Sequence, residues 1–203
     1  MTQPKTAATT VPVHPLLAER WSPRGFDLAH RLDDSTLDAL LEAARWAPSA
    51  SNSQPWRFLV TRRGEVGFDR LAELLAAGNR SWARHASSLV LVAAQTTDET
   101  GAPRPWATYD TGQAVAALTV QAAAEGLSVH QMGGFDAERA RLVGALGSDL
   151  TPVVVVAVGR HDPAADLPAP LAEREAAPRT RRPLASLLLE VADSDDGSTR
   201  RAA

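Results

Sequence analysis

Ala47-Pro48-Ser49-Ala50-Ser51-Asn52-Ser53-Gln54-Pro55-Trp56-Arg57-Phe58 is the stretch whose reading decides the rest of the chain. A helical pattern of Leu37, Leu40, Leu41, Ala44 and Trp46, with Asp33-Asp34-Ser35 offering an N-cap, runs into it. Phe58-Leu59-Val60-Thr61 leaves it as a strand. Between them Ser49, Ser51, Asn52, Ser53 and Gln54 supply neutral donors and acceptors, with no acid. Pro48 should stop the helix and Pro55 should hold the exit extended, because proline fixes φ and biases its predecessor away from helix. The segment is either a polar connector or the wall of a site for a flat, uncharged, hydrogen-bonding ligand edge.

Working outward, helical spacing is read at 14–20, 68–77 (ending at Gly78-Asn79), 110–124, after Asp136, and at 184–191. Strands are read at 88–94, 127–129 and 152–159. The unbroken valines of Pro152 to Gly159 suit a central strand covered on both faces. Asp110 is read as the cap of the alanine-rich 110–124 helix, which is apolar nearly all round and should be buried on most faces. Residues 1–12 read as a disordered leader, 13–193 as a single domain, 162–193 as an extended arm without a core of its own, and 194–203 as a frayed tail. Thr96 to Pro105 reads as a mobile loop.

The 203 residues allow one substantial core. A net charge of −3 argues against a nucleic-acid binder. The absence of cysteine removes disulfides, thiolate metal sites and cysteine nucleophiles. The five histidines show no ligand spacing, so no metal site is expected. No apolar run reaches membrane-spanning length, and no secretory signal is visible, so the expected location is the cytoplasm. Nucleophile-elbow, Walker and zincin patterns are all missing.

What remains is two basic clusters, the neutral loop and a glycine turn. Arg20-Trp21-Ser22-Pro23-Arg24 and Arg179-Thr180-Arg181-Arg182 could each hold an anion, since guanidinium forks match phosphate; each could equally be a solvated basic turn. His130-Gln131-Met132-Gly133-Gly134-Phe135-Asp136 lets backbone N–H groups approach a ligand closely, or it is glycine needed for turn geometry alone. Taken together these parts suit a molecule with a phosphate at one end and a flat hydrogen-bonding ring at the other. Flavin mononucleotide (FMN) has that shape, and a cofactor that carries the chemistry explains the lack of protein nucleophiles and bases.

The chain resembles the FMN-dependent nitroreductase family from about His14 to Leu188. The carriers are Arg20-x-Ser22-x-Arg24-x-Phe26, the 48–58 stretch, Asp110-Thr111-Gly112, the 130–136 turn and Arg179-x-Arg181-Arg182-Pro183-Leu184. The resemblance implies an α+β three-layer sandwich, a mostly antiparallel sheet between helices, and an intertwined homodimer with FMN at the subunit interface. Carried onto this chain, Arg20, Ser22 and Arg24 would hold the phosphate and ribityl chain, with Arg179 and Arg181 closing over the phosphate. Pro48, Ser49, Ala50 and Asn52 would come from the partner and line the ring, and Gln54 would reach the ring or the ribityl edge. Met132, Gly133 and Gly134 would face the ring near N5. Asn79 lies where relatives often have a polar ring contact, and the 162–178 arm would wrap the partner.

The implied activity is ping-pong hydride transfer from NADH or NADPH to a nitroaromatic, quinone or other electrophilic acceptor. Dehydrogenation, reductive dehalogenation or flavin fragmentation on the same scaffold, or flavin binding without turnover, are the alternatives. Two departures from the family pattern stand out. Gly133 replaces a residue that is often acidic. The 96–106 segment is short, which suggests an open site or one covered by Trp106 and Tyr109.

Overall fold

The computed structural model describes residues 5–191. Its centre is the SLVLVAAQ run, Ser88–Gln95, which forms β2 and is buried along almost its whole length. β2 lies between β1 (Trp56–Arg62) and β4 (Leu150–Gly159), and β4 pairs on its other side with β3 (Ser128–Met132), giving the order β1-β2-β4-β3. Every pairing is antiparallel, with Val60 opposite Val90, Val90 opposite Val156, and Val129 opposite Val158. β-Branched residues suit such inner strands because they pack well on a pleated surface closed on both sides.

Two apolar cores form, one on each face. On one face α2 (Asp34–Arg45) and α5 (Ala107–Ala124) bury Leu40, Ala44, Val115 and Leu118 against Val90, Val92 and Val156. On the other, α3 (Val66–Glu73), α4 (Ala77–Ala83) and α6 (Ala137–Val143) bury Phe68, Leu71, Trp82 and Ala140 against Leu89, Leu91, Val155 and Ala157. Each large side chain so buried contributes about 1.5–3 kcal/mol. The expected layered α+β sandwich is therefore present, and its four-stranded sheet is wholly antiparallel. Asp33 caps α2 by accepting the Thr36 N–H, and Asp136 caps α6 by accepting that of Arg139, both as expected. No helix among the described residues is long and apolar enough to cross a membrane.

Several local expectations are corrected. The helix expected over 68–77 is two: Gly78 and Asn79 lie in the first turn of α4 rather than at a helix end. The backbone between is taken by the glycine turn, since Asp136 N–H donates to Leu74 O, Ala76 N–H donates to Gly134 O, and Leu75 bridges Phe135. The long helix starts at Ala107, so Asp110 sits inside its first turn instead of capping it. α5 ends as expected at Gly126, whose φ of 70° lets the following Leu127 N–H reach back to Ala122 O.

Residues 162–178 contain a short helix, α7 (Ala169–Ala176), and Leu167 and Leu171 pack on the α3–α4 core of their own chain. The last helix is a single 3-10 turn, Leu184–Leu187, preceded by a short α1 (Pro15–Glu19) at the other end of the chain. Residues 5–12 have no helix or strand, yet the Ala7 N–H donates to Ala18 O. The 96–105 loop is knotted around Asp98, whose carboxylate accepts the N–H groups of Thr100 and Ala102. The expected frayed tail, 194–203, lies outside the described residues.

Candidate functional site

The two basic clusters, 155 or more positions apart in sequence, meet in space. Arg20 donates to Ser22 Oγ at 3.3 Å. Burial, and then the neighbouring Arg179 and Arg181 guanidiniums, pull the Arg20 pKa below the ordinary arginine value. Arg179 donates to the carbonyls of Ala18 (2.6 Å) and Lys5 (2.7 Å), which ties the arm to the α1 region. Among the described residues none of Arg20, Arg179 and Arg181 forms an ion pair. Like charges gathered with no counter-ion among the described residues could hold an anion.

Arg24 is held differently. Its N–H and that of Gly25 donate to the Glu175 carboxylate at 3.0–3.2 Å, and the Arg24 guanidinium lies 3.8 Å from the same group. Burial disfavours the Glu175 charge, but His161, 3.6 Å away, and hydrogen bonds from the Arg24 and Gly25 amides outweigh it and hold the carboxyl below its usual range. Glu175 stands in α7, four residues ahead of Arg179, so one carboxylate docks the arm onto the basic loop. Lys5 completes the cluster, its Nζ 4.4 Å from the Trp21 ring centroid.

The glycine turn reaches the same loop through His130 on β3. His130 Nδ1 lies 2.9 Å from Pro23 O. A carbonyl only accepts, so Nδ1 carries the proton and donates. The His130 ring packs on Trp82, centroids 4.4 Å apart, and burial pushes its pKa below the ordinary histidine value. Gly133 and Gly134 are exposed beyond it. A Cβ on Gly133 would meet nothing within 4 Å among the described residues and its φ is not positive, so their packing does not require glycine there. Asn79 Nδ2 lies 3.4 Å from where a Cβ on Gly134 would stand, which puts it beside the turn. The Met132 side chain, in contrast, is buried in the core, so only its backbone is available to a ligand.

The neutral loop is at the opposite end of the sheet. Trp56 pairs with Ala94, and Ala94 with Thr151, near the start of β4; the basic loop bridges His161, beyond its end. From Thr151 to Gly159 the strand advances roughly 26 Å at about 3.3 Å per residue. One chain therefore cannot bring Pro48, Ser49, Ala50, Asn52 and Gln54 to the same ligand as Arg20.

The loop's shape is unusual and firmly held. Ser51, Asn52 and Gln54 have φ of 52°, 54° and 45°, a region costly for residues other than glycine. Two contacts fix it: the Ala50 N–H donates to Asp110 Oδ2 at 2.9 Å, and the Gln54 N–H to Ser49 Oγ at 3.0 Å. Trp46, Trp106 and Tyr109, all more than 60% exposed, stand on the neighbouring ends of α2 and α5, so neither Trp106 nor Tyr109 closes over the loop within one chain.

Sequence reasoning missed Asp110, Glu175, His130 and Lys5 as supporting groups. Asp110 carried a signal, since it lies in the Asp110-Thr111-Gly112 motif. Nothing in the local sequence marks Glu175 or Lys5.

The family model "Nitroreductase family" matches two overlapping segments, residues 17–81 and 73–160. The chain belongs to the nitroreductase family. One solved structure, described as an oxidoreductase containing FMN, shares 35% identity, covers 98% of this chain and 100% of its own, and has a TM-score of 0.84. A nitroreductase structure in complex with FMN from Desulfovibrio desulfuricans is 29% identical, with a TM-score of 0.68 over 89% of this chain and 98% of its own. An uncharacterised 15.4 kDa protein of Mycolicibacterium smegmatis is 39% identical over 62% of this chain and 88% of its own. A Streptomyces coelicolor protein provisionally named an NADH dehydrogenase/NAD(P)H nitroreductase is 51% identical over 24% of each chain. Among the described residues no group of His, Asp and Glu could hold a metal ion.

Proposed function

We propose that two copies of this nitroreductase-family chain bind FMN between them and use it to reduce small electrophiles at the expense of NADH or NADPH. The observation that carries the reading is the meeting of Arg20, Arg179 and Arg181 with no ion-pair partner among the described residues, on a loop that His130 ties to the strand leading into the exposed glycine turn. These residues fit a phosphorylated flavin. The arginine cradle suits its dianionic phosphate, and the turn leaves room for a flat ring at backbone distance.

Bound there, FMN would supply hydride transfer at ring N5, taken from NAD(P)H and passed in a second half-reaction to a nitroaromatic, quinone or similar acceptor. The protein's share is to hold and orient. Arg20, Ser22, Arg24, Arg179 and Arg181 would fix the phosphate and ribityl end, with His130 and Glu175 setting the loop that carries them. Backbone N–H groups at Met132, Gly133 and Gly134, with Asn79, would meet the ring edge. Ser49, Ala50, Asn52 and Gln54 of the second copy would offer neutral donors and acceptors and place no acid against the reduced ring.

Three observations support a homodimer. The neutral loop and the arginine cradle are too far apart to share one ligand within a chain. Gly112 sits exposed in α5, where glycine costs about 1 kcal/mol against alanine and nothing in the chain crowds it. Leu184, Leu187, Leu188 and Leu189 are all exposed along the arm. A close-packed second copy would account for each.

One spectrum tests the reading. Purified protein reconstituted with FMN should show oxidised-flavin absorbance that bleaches on anaerobic addition of NADH or NADPH and returns with an acceptor. A colourless protein that does not retain FMN, or bound flavin that neither dinucleotide bleaches, would refute it.

A further inference from the structure

A second unpaired basic pair borders the neutral loop. Arg57, just past Pro55, donates through Nη1 to Gln54 O (3.0 Å) and Trp56 O (2.8 Å), and through Nη2 to Gln95 Oε1 (2.8 Å). Arg104, from the loop after β2, donates through Nη1 to the same Gln95 Oε1 at 2.9 Å. Two guanidinium groups thus share one neutral amide oxygen. Among the described residues neither has a carboxylate within 4.0 Å.

Two acids stand close by without forming an ion pair with either arginine, although Asp98 feels the charge of Arg104. Asp149 Oδ2 accepts the Gln95 Nε2 proton at 3.0 Å, on the far side of the amide, and Asp98 Oδ1 is committed to Thr100 and Ala102. In a chain with more acids than bases, leaving two adjacent arginines with no carboxylate within 4.0 Å among the described residues is a specific arrangement. A neutral oxygen orders the pair but does not cancel its charge. Each guanidinium keeps N–H groups that no described residue takes up, and their fork geometry suits a phosphate oxyanion lying between them.

Position narrows the ligand. Arg57 rests on the carbonyl of Gln54, so the pair is continuous with the loop proposed to line the ring, and Arg104 stands on the segment leading to Trp106 and Tyr109. The substrate of the proposed reaction that carries phosphates is the nicotinamide dinucleotide. We infer that Arg57 and Arg104 form a phosphate subsite for NAD(P)H at the rim of the neutral loop. The inference rests on the proposed flavin reaction for its ligand. Two phosphates share the required chemistry: the pyrophosphate common to both dinucleotides and the 2′-phosphate of NADPH.

The test compares FMN-loaded wild type with Arg57→Gln, Arg104→Gln and the double variant, using NADH and NADPH separately and a fixed acceptor. Losing a charge-assisted contact should raise KM for the dinucleotide by about tenfold or more per variant, while FMN content stays at the wild-type level. A rise confined to NADPH assigns the 2′-phosphate; an equal rise with NADH assigns the pyrophosphate. Raising salt should weaken wild-type binding and change the double variant little. Arg104→Lys, which keeps the charge and loses the fork, should recover part of the affinity.

Direct titration with adenosine 2′,5′-bisphosphate and with inorganic pyrophosphate decides the matter even if turnover is absent. At least one of the two should bind the wild type and be lost from the double variant. Unchanged KM for both dinucleotides, or equal probe binding by wild type and double variant, overturns the subsite. Failure of the flavin reading would instead appear as wild-type protein that holds no FMN.

Discussion

The neutral loop and the basic loop sit at opposite ends of one sheet, and both are pinned by a carboxylate that accepts their backbone N–H groups. Asp110 takes the Ala50 N–H, and Glu175 takes those of Arg24 and Gly25. The carboxylates differ in where they stand. Asp110 is buried in α5, the helix that packs across one core, so the neutral loop is part of the core's own structure. Glu175 comes from a short helix with no buried residue, on an arm after the last strand. The basic loop is thus assembled from residues near 5, 20–25 and 175–181, and is only as firm as that arm. In the proposed reading the wall for a rigid ring would be prefabricated, while the grip on a flexible phosphate tail would be closed by a separate piece.

The sharpest way to break this contrast is Asp110→Ala. It removes a charged acceptor from a buried N–H contact and releases a loop held at three positive φ values, so about 2–3 kcal/mol should be lost. For a domain of this size that is a fall of roughly 4–10 °C in melting temperature, read by differential scanning fluorimetry. Asp110→Asn keeps an acceptor and should recover most of it. A melting temperature within 1 °C or so of wild type would mean that the loop keeps its shape without Asp110.

At the other end the pattern should invert. Arg20→Ala removes one of several crowded cations, so apo-protein stability should hold or rise slightly, while FMN affinity falls roughly 10- to 100-fold through loss of a charged contact. Arg181→Ala should act in the same direction. Fluorescence titration of FMN against each variant, with melting curves alongside, separates the two readouts. Destabilised apo protein with unchanged FMN affinity would place these arginines in the scaffold instead of the site.

Glu175→Gln should give a smaller change. The amide still accepts one N–H but turns a donor toward the others, so the arm loosens without detaching. FMN affinity should drop by several-fold, within about one unit of log affinity, and hydrogen exchange should quicken over residues 169–181 and 22–26 while residues 48–55 keep their protection. Equal quickening of both loops would show that the two ends are mechanically one unit.

How much of this was legible in the sequence follows the same division. The strands and most helices were readable because the valine runs and the 3.6-residue apolar spacing are local signals, while the three-layer arrangement was implied only by the family resemblance. Two of the fold's local misreadings arose where distant backbone intervened. Gly78-Asn79 looks like a helix end until Leu74 and Ala76 are seen pairing with the glycine turn. Asp110 looks like a cap until the Ala50 amide is found against it. Residues 162–178 look like an extended arm with no core of its own because proline and alanine hide Leu167 and Leu171, which pack onto the core. The arginines of the site were legible by type and motif. Their mutual approach, and the supporting Glu175, Lys5 and His130, depend on contacts across more than a hundred residues, which no local pattern encodes.

The smallest expected effect is on pH dependence, and it too should separate the two ends. Burial, first among the causes in each case, lowers the pKa values of His30, His85 and His130 below the ordinary histidine value. Unfolded, these imidazoles would titrate near 6.5. Between the folded and unfolded values the unfolded chain binds more protons, so stability must fall as pH drops from 7 toward 5.5. Glu175 adds no slope there, because a carboxyl held below its usual value gives its full stabilisation at any pH above about 4.5 and loses it only in stronger acid. His130 is the most buried of the three and stands beside the basic loop; its imidazolium, though still donating to Pro23 O, would be desolvated and repelled by Arg24, so acidification should loosen the basic loop first. Melting temperature should decline over this range, and protection from hydrogen exchange should fade at residues 20–25 before residues 48–55. His130→Asn, which keeps a donor for Pro23 but does not titrate, should flatten part of the decline. A melting temperature that stays level or climbs toward pH 5.5 would mean that these histidines are charged in the folded protein, and the neutral His130 that fixes the basic loop would have to be abandoned.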